Sequence, residues 1–181
     1  TGDVSRLYDL SGNEIAQFLG EFRKGAFGQN DQRIAIYFQG KTHLYDLTAN
    51  VFSRFRFNNV VFSPAGDRIV AYSGGENIYH PYDLAGNQNY LYDLAGNLIA
   101  EFPGTFYGFS SDGQRLVASS EENITRLYDV SGNEVAEIPG YFDGFSDNGQ
   151  QVLSFTISEG RLENTYLHDI NGNQIKLWTD D

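Results

Sequence analysis

A thirteen-residue segment recurs five times along this chain, and it constrains the fold more than any other feature. RLYDLSGNEIAQF (6–18) returns as HLYDLTANVFSRF (43–55), YLYDLAGNLIAEF (90–102), RLYDVSGNEVAEI (126–138) and YLHDINGNQIKLW (166–178). Its aspartates, Asp9, Asp46, Asp93, Asp129 and Asp169, are spaced by 37, 47, 36 and 40 residues. A second motif stands between successive copies: FGQNDQRIAIYF from Phe27, FSPAGDRIVAYS from Phe62, FSSDGQRLVASS from Phe109 and FSDNGQQVLSFT from Phe145. Its spacings are 35, 47 and 36, so both series carry one long interval and a single insertion explains both. The surplus is PYDLAGN (81–87), ten residues ahead of LYDLAGN (91–97). A tandem duplication, drawn as an insertion over about 83–92, accounts for it. Removing Asp83–Tyr92 restores a 37-residue interval and is expected to leave the fold standing.

Each motif reads as strands. Two short apolar runs joined by Ser-Gly-Asn form a β-hairpin, with glycine supplying the positive φ that a type II′ turn needs. Gly12, Gly86, Gly96, Gly132 and Gly172 fill this place, and Ala49 is the exception. In the second motif, Ser-Pro-Ala-Gly-Asp and Ser-Asp-Gly-Gln are turn chemistry between an aromatic strand and RIVAYS or RLVASS. One period therefore supplies four strands, and nothing in it has the 3.6-residue periodicity of a helix.

Four antiparallel strands repeating every ~40 residues make a unit that cannot bury both of its faces alone, which is the logic of a β-propeller blade. The expected fold class is all-β: a propeller of four-stranded antiparallel blades with about 4.5 repeats, four full blades and an N-terminal half blade. As one domain over 1–181, the half blade takes 1–20 and the repeats take about 21–57, 58–104, 105–140 and 141–181. Phe27, Phe62, Phe109 and Phe145 are the expected core between blades, together with Leu7, Leu44, Leu91, Leu127 and Leu167.

The string FSSDGQRLVASSEENITRLYDVSGNEVAEIPG (109–140) resembles the WD-repeat family, in the form found in long bacterial arrays, and the likeness runs from Arg6 to Trp178. The phenylalanine-serine-x-aspartate-glycine turn and the aromatic-aspartate strand end are matched. Tyrosine or histidine replaces the family's tryptophan in every copy, and its glycine-histidine pair is missing. The family's internal histidine–serine–tryptophan–aspartate network is therefore not carried over. The resemblance implies a docking platform for a protein partner.

Composition narrows the function. A net charge of −12, with 24 acidic against 12 basic residues, opposes nucleic-acid binding, which needs a basic patch. No apolar run approaches a membrane span, and no signal peptide is visible. The expected setting leans to the cytoplasm. Without cysteine there are no disulfides or thiolate metal sites. Without methionine, even at position 1, the chain reads as processed out of a longer repeat protein.

Asp9, Ser11, Asn13 and Glu14 faintly resemble a calcium loop but lack its distant bidentate glutamate, so no metal and no cofactor is expected. His43, His80 and His168 share no metal-ligand spacing. Ser63, Ser110, Ser119, Ser120 and Ser146 recur with the repeat, as structural residues do, and no catalytic group is expected. The chain reads as a non-catalytic protein–protein interaction scaffold. The alternatives are a self-assembling repeat protein pairing through the unpaired edge strand of its half blade, and a propeller that binds a small ligand or glycan. Specificity belongs to the loops that differ most between copies, Glu21–Gly25, Tyr79–Tyr90 and Ser158–Asn164. The candidate partner-binding residues are Tyr79, His80, Tyr90, Phe22, Arg23 and Arg161.

Overall fold

The repeat becomes a series of antiparallel sheets in a computed structural model of the chain. It describes residues 4–27, 33–39, 41–46, 51–55, 57, 59–72, 88–120 and 123–179, without the side chains of 22–27, 46, 51–53 and 55. A two-stranded sheet comes first, β1 (Val4–Tyr8) against β2 (Glu14–Leu19). Four-stranded sheets follow in chain order. The second sheet holds β3 (Glu21–Phe27), β4 (Arg33–Phe38), β5 (Lys41–Asp46) and β6 (Val51–Phe55). The third holds β7 (Asn59–Phe62), β8 (Arg68–Tyr72), β9 (Gln88–Asp93) and β10 (Leu98–Pro103). The fourth holds β11 (Thr105–Phe109), β12 (Arg115–Ser119), β13 (Ile124–Asp129) and β14 (Glu134–Pro139). The fifth holds β15 (Tyr141–Phe145), β16 (Gln151–Ser158), β17 (Arg161–Asp169) and β18 (Gln174–Thr179). No helix occurs among the described residues.

The backbone falls into two compact units, Thr1–Ser73 with Tyr90–Leu98, and Gly74–Asn89 with Ile99–Asp181. In the first, Phe18, Ile34, Ile36, Leu44, Val60, Phe62 and Ile69 form the core. In the second, Val117, Leu127, Ile138 and Val152 pack with Tyr107, Phe142, Phe145 and Ile170. The repeat leucines Leu44, Leu91 and Leu127 are fully buried, while Leu7 and Leu167 are partly so. Phe62 is buried, but Phe109 and Phe145 are only half-buried. The deepest aromatics are instead at the end of the outer strand, Phe18 and Phe102, with Ile138 in the same place. The side chain of Phe27 lies outside the described residues.

The hairpin turn differs from the type II′ expected. Gly12 donates its N–H to the Asp9 carbonyl, and Asp9 donates to the Asn13 carbonyl, so glycine is the fourth residue of the turn. Its φ of 85° is left-handed, whereas Leu10 and Ser11 are not. A turn without positive φ at its two central residues, closed by a left-handed glycine, is the bulged three-residue hairpin loop. The register slips beside it, between Leu7 and Tyr8. The same slip separates Leu127 from Tyr128 and Leu167 from His168. Gly86 and Ala49 lie outside the described residues.

A hydrogen bond that the sequence motifs do not reveal pins each crossover to the next sheet. Ser5 Oγ donates to the Gly20 carbonyl, Thr42 Oγ1 to that of Phe57, Asn89 Nδ2 to that of Gly104 and Thr125 Oγ1 to that of Gly140, at 2.7–2.8 Å. The acceptor is always fifteen residues on.

Of the insertion drawn over 83–92, Gln88–Tyr92 belong to β9, and 83–87 lie outside the described residues. β9 thus uses the second copy of the duplicated motif, with Leu91 fully buried. Proline, which opens the first copy at Pro81, has no N–H to give a ladder. Two ten-residue deletions separate these copies. Removing 81–90 joins His80 to Leu91, and removing 83–92 joins Tyr82 to Asp93, so the products differ only in leucine against proline. The first is expected to melt cooperatively. The second should be less stable by about 3 kcal/mol or more, in denaturant melts of both. The expectation that removing Asp83–Tyr92 is harmless is amended accordingly.

Candidate binding surface

The residues most suggestive of chemistry in the sequence are consumed by the turns. Asp9 Oδ1 accepts the backbone N–H groups of Ser11 and Asn13 at 2.9 and 2.8 Å, and its Oδ2 accepts the Asn13 side-chain amide at 2.8 Å. Asp129 and Asp169 repeat the whole clasp, and Asp93 repeats the two bonds from Asn97. The Asp9 carboxylate oxygens that suggested a calcium loop are thus engaged by amides of their own hairpin. The asparagine side chain chiefly holds the Asp9, Asp93 and Asp169 carboxyls below their ordinary range. At Asp129 burial pulls upward, but the Asn133 and Ser131 donors prevail.

Three of the five serines behave likewise, whereas Ser120 Oγ is buried with no hydrogen-bond partner among the described residues. Ser63, Ser110 and Ser146 donate to Asp67, Asp112 and Asn148 and accept the N–H of Arg68, Arg115 and Gln151. Ser119 shares a 2.9 Å hydrogen bond with Thr125. Among the described residues no group of three histidine, aspartate or glutamate side chains could hold a metal ion.

His168 takes the place of the repeat tyrosines Tyr8, Tyr45, Tyr92 and Tyr128. It is buried, with Tyr166 stacked at 6.0 Å and no partner for Nδ1. Burial pushes its pKa down against the opposing pull of Asp169. His43, half-buried between Phe38 and Tyr45, is also lowered, first by burial and then by Arg54 and Lys41. As pH falls through about 6.5 the unfolded chain therefore takes up protons that the folded histidines resist, and stability declines. The clasp aspartates act lower down. Their stabilisation is present above about pH 4 and is lost as pH falls through their depressed folded values. Thermal melts across pH should fall in two steps, and His168→Tyr should reduce the upper step to the share of His43.

Of the six candidate binding residues, Tyr79 and His80 lie outside the described residues. Phe22 and Arg23 are on β3, so Glu21–Gly25 is strand where a loop was expected, and their side chains are not described. Tyr90 is half-buried on β9, its ring 4.7 Å from Phe57 and 6.5 Å from Tyr92. Arg161 is exposed at the start of β17. The two described side chains belong to different units. Ser158–Asn164 is also not a loop. Glu159 and Gly160, with φ of 51° and 77°, make a two-residue turn, and strands β16 and β17 run on to meet it.

Exposed apolar side chains on the fifth sheet were not foreseen from the sequence. Ile157 and Leu162 face each other near the hairpin tip, and both are exposed. On β18, Ile175, Leu177 and Trp178 are exposed too. Trp178 is 42% accessible, whereas its counterparts Phe18, Phe102 and Ile138 are 1–2% accessible. Lys176, 4.6 Å from the tryptophan ring, replaces the small Ala16, Ala100 and Ala136. Leu177 stands where Gln17, Arg54, Glu101 and Glu137 put polar groups outward. Aligning the five copies by column exposes these departures; reading them for the shared pattern conceals them.

Solved structures share this arrangement of sheets. A eukaryotic initiation factor aligns with a TM-score of 0.62 at 13% identity, over 89% of this chain and 44% of its own. KlHsv2, with loop 6CD replaced by a Gly-Ser linker, aligns with 0.62 at 12% identity, over 97% and 60%. Kluyvelomyces marxianus Hsv2 aligns with 0.60 at 12% identity, over 92% and 56%. Hsv2 is a yeast β-propeller protein. The chain is propeller-like in fold. It spans about half the length of the propeller-like structures it matches. No protein-family model matches the sequence, and no curated protein matches it significantly.

Proposed function

We propose that this chain is a run of WD-type propeller blades, about 4.5 in number, acting as a non-catalytic platform for a protein partner within a longer repeat protein. The observation that carries the reading is the contrast between two sets of side chains. The carboxylates of Asp9, Asp93, Asp129 and Asp169 and the hydroxyls of Ser63, Ser110 and Ser146 are bound within their own turns. The side chains that break the repeat, Leu177 and Trp178 with Ile157, Leu162 and Arg161, are exposed on one sheet. Apolar groups left out of a core mark interaction surface, and tryptophan and arginine are the residues that anchor such contacts.

A photo-crosslinking residue in place of Leu162 or Trp178, introduced in the cells that make the protein, tests it. A discrete adduct with a second protein is expected from both positions and not from Glu14, which is exposed on β2. No adduct, or equal adducts from all three, overturns the reading.

A second reading, assembly through the half blade, is favoured by one observation. Tyr8 on β1 is 52% accessible, while Tyr45 and Tyr128 in the same place are 8% and 4%.

A further inference from the structure

We infer that His168 is a proton-operated latch on the β17–β18 hairpin, closed while its ring is neutral and opened in acid. The five copies of the hairpin motif share one design, and in this copy alone the residue before the clasp aspartate can change its charge near neutral pH. Tyr8, Tyr45, Tyr92 and Tyr128 hold that place in the others. What opens is one hairpin, with the remaining sheets left in place.

The ring has nowhere to place a second proton. His168 is 3% accessible, and its Nδ1 is buried with no hydrogen-bond partner among the described residues. Val152 on β16 and Gln174 on β18 stand opposite it, neither of them titratable, and Tyr166 stacks on it at 6.0 Å. Of the charged groups on neighbouring strands, Glu134 and Glu137 of β14 are paired with Arg126, and Lys176 of β18 lies over Trp178. Arg115 of β12 reaches the Ile170 carbonyl and the Asn171 side chain. Asp169 is the charged group that pulls on the ring. Both of its oxygens are already taken by the clasp: Oδ1 accepts the N–H groups of Asn171 and Asn173, and Oδ2 accepts the Asn173 amide. An imidazolium in the closed hairpin would therefore bury a charged donor without an acceptor, or strip the clasp of its carboxylate. Either way the closed form resists the proton.

Opening removes the conflict. With the two strands parted the ring meets water and takes up a proton near its ordinary value of about 6.5. The open form therefore gains about ten-fold in population for each pH unit below that value, until the closed form is protonated too. The clasp carboxyls of Asp129 and Asp169 are held below their ordinary range and stay charged in this window. Arg161 and Leu162 on β17, and Leu177 and Trp178 on β18, stand on the two strands that part. The surface offered to a partner is thus withdrawn in acid, a last step that rests on the platform reading.

The fourth sheet supplies the control within the same unit, since Asp129 makes the whole clasp beside Tyr128. Amide hydrogen exchange of the whole chain is measured at about pH 7.5 and about pH 5 and corrected for intrinsic exchange rates. Protection at Asp169, Gly172 and Asn173 is expected to fall at least about ten-fold further than at Asp129, Gly132 and Asn133. His168→Tyr restores the repeat residue, and His168→Phe removes the titrating nitrogens without adding a hydroxyl; each should bring the two hairpins level. Equal losses in the two hairpins of the parent chain, or a selective loss that survives in either variant, overturns the inference. So does a ring-proton NMR signal of His168, assigned by its loss in the variants, that titrates at about 6.5 or above. The exchange is read in the chain alone, so its failure leaves the platform reading standing. Failed crosslinks at Leu162 and Trp178 leave the latch standing in turn.

Discussion

Gly104→Ala is expected to lower stability by about 3 kcal/mol or more, among the largest effects a single methyl group can have in this chain. Gly104 has a φ of 99°, which costs any other residue strain, and an added Cβ would come within 2.6 Å of the Ser119 carbonyl oxygen. That carbonyl belongs to a central strand of the next sheet and cannot move without breaking its ladder. The crossover is also tied from the other side by Asn89, so the chain has no slack to relieve the overlap. Gly140, with a φ of 88° and the Phe155 carbonyl against it, should behave alike. Gly12 is the control. Its φ of 85° is as left-handed, but nothing lies within 4 Å of the added atom, so Gly12→Ala should cost only about 1–2 kcal/mol. Urea melts of the three variants decide it. Equal losses at Gly12 and Gly104 would show that backbone conformation, and not the close approach, governs the crossover.

Phe102→Ala should cost about 3–5 kcal/mol, the price of removing a fully buried ring and leaving its cavity. Phe102 is 1% accessible, with ring centroids of Tyr128 at 4.9 Å and Phe106 at 6.2 Å. Tyr128 is held so deep that burial, reinforced by Glu134, pushes its phenol up to about 12. Phe109→Ala should cost less, about 1–2 kcal/mol, because that ring is half-buried and leans on Phe106 alone among the described rings. Midpoints from guanidinium melts give the ranking. A larger loss at Phe109 than at Phe102 would place the centre of packing at the serine-aspartate-glycine turn.

That ranking shows what the sequence makes legible. Period and turn chemistry are written locally: alternating apolar residues and Gly-Asn pairs give strands and hairpins, and their recurrence gives the four-stranded sheets. Depth of burial depends on the neighbouring sheet. Phe102 and Phe109 look equivalent as conserved-spacing aromatics, but only one lies under the next sheet's strands. The crossover glycines were hidden for a related reason. Gly20, Gly104 and Gly140 answer to a carbonyl fifteen or more residues away, and Phe57 fills the same place in the second sheet, which blurs the column. Of the candidate site, Arg161 was legible as a loop-tip charge beside a tight turn. The exposed apolar residues of β18 were not, because leucine and tryptophan in a strand read as core wherever only the local sequence is considered.

The exposure of Trp178 also changes what a simple optical measurement means. It is the chain's only tryptophan, so emission excited at the red edge of the protein spectrum reports one outer strand and nothing else. Iodide or acrylamide should quench it in native buffer, before any denaturant is added. Repeat proteins need not open all at once, since each unit is stabilised mainly by its neighbours. A fluorescence transition preceding the far-ultraviolet circular dichroism transition would then mark fraying of β18, and the two curves together would measure how far cooperativity extends along the array.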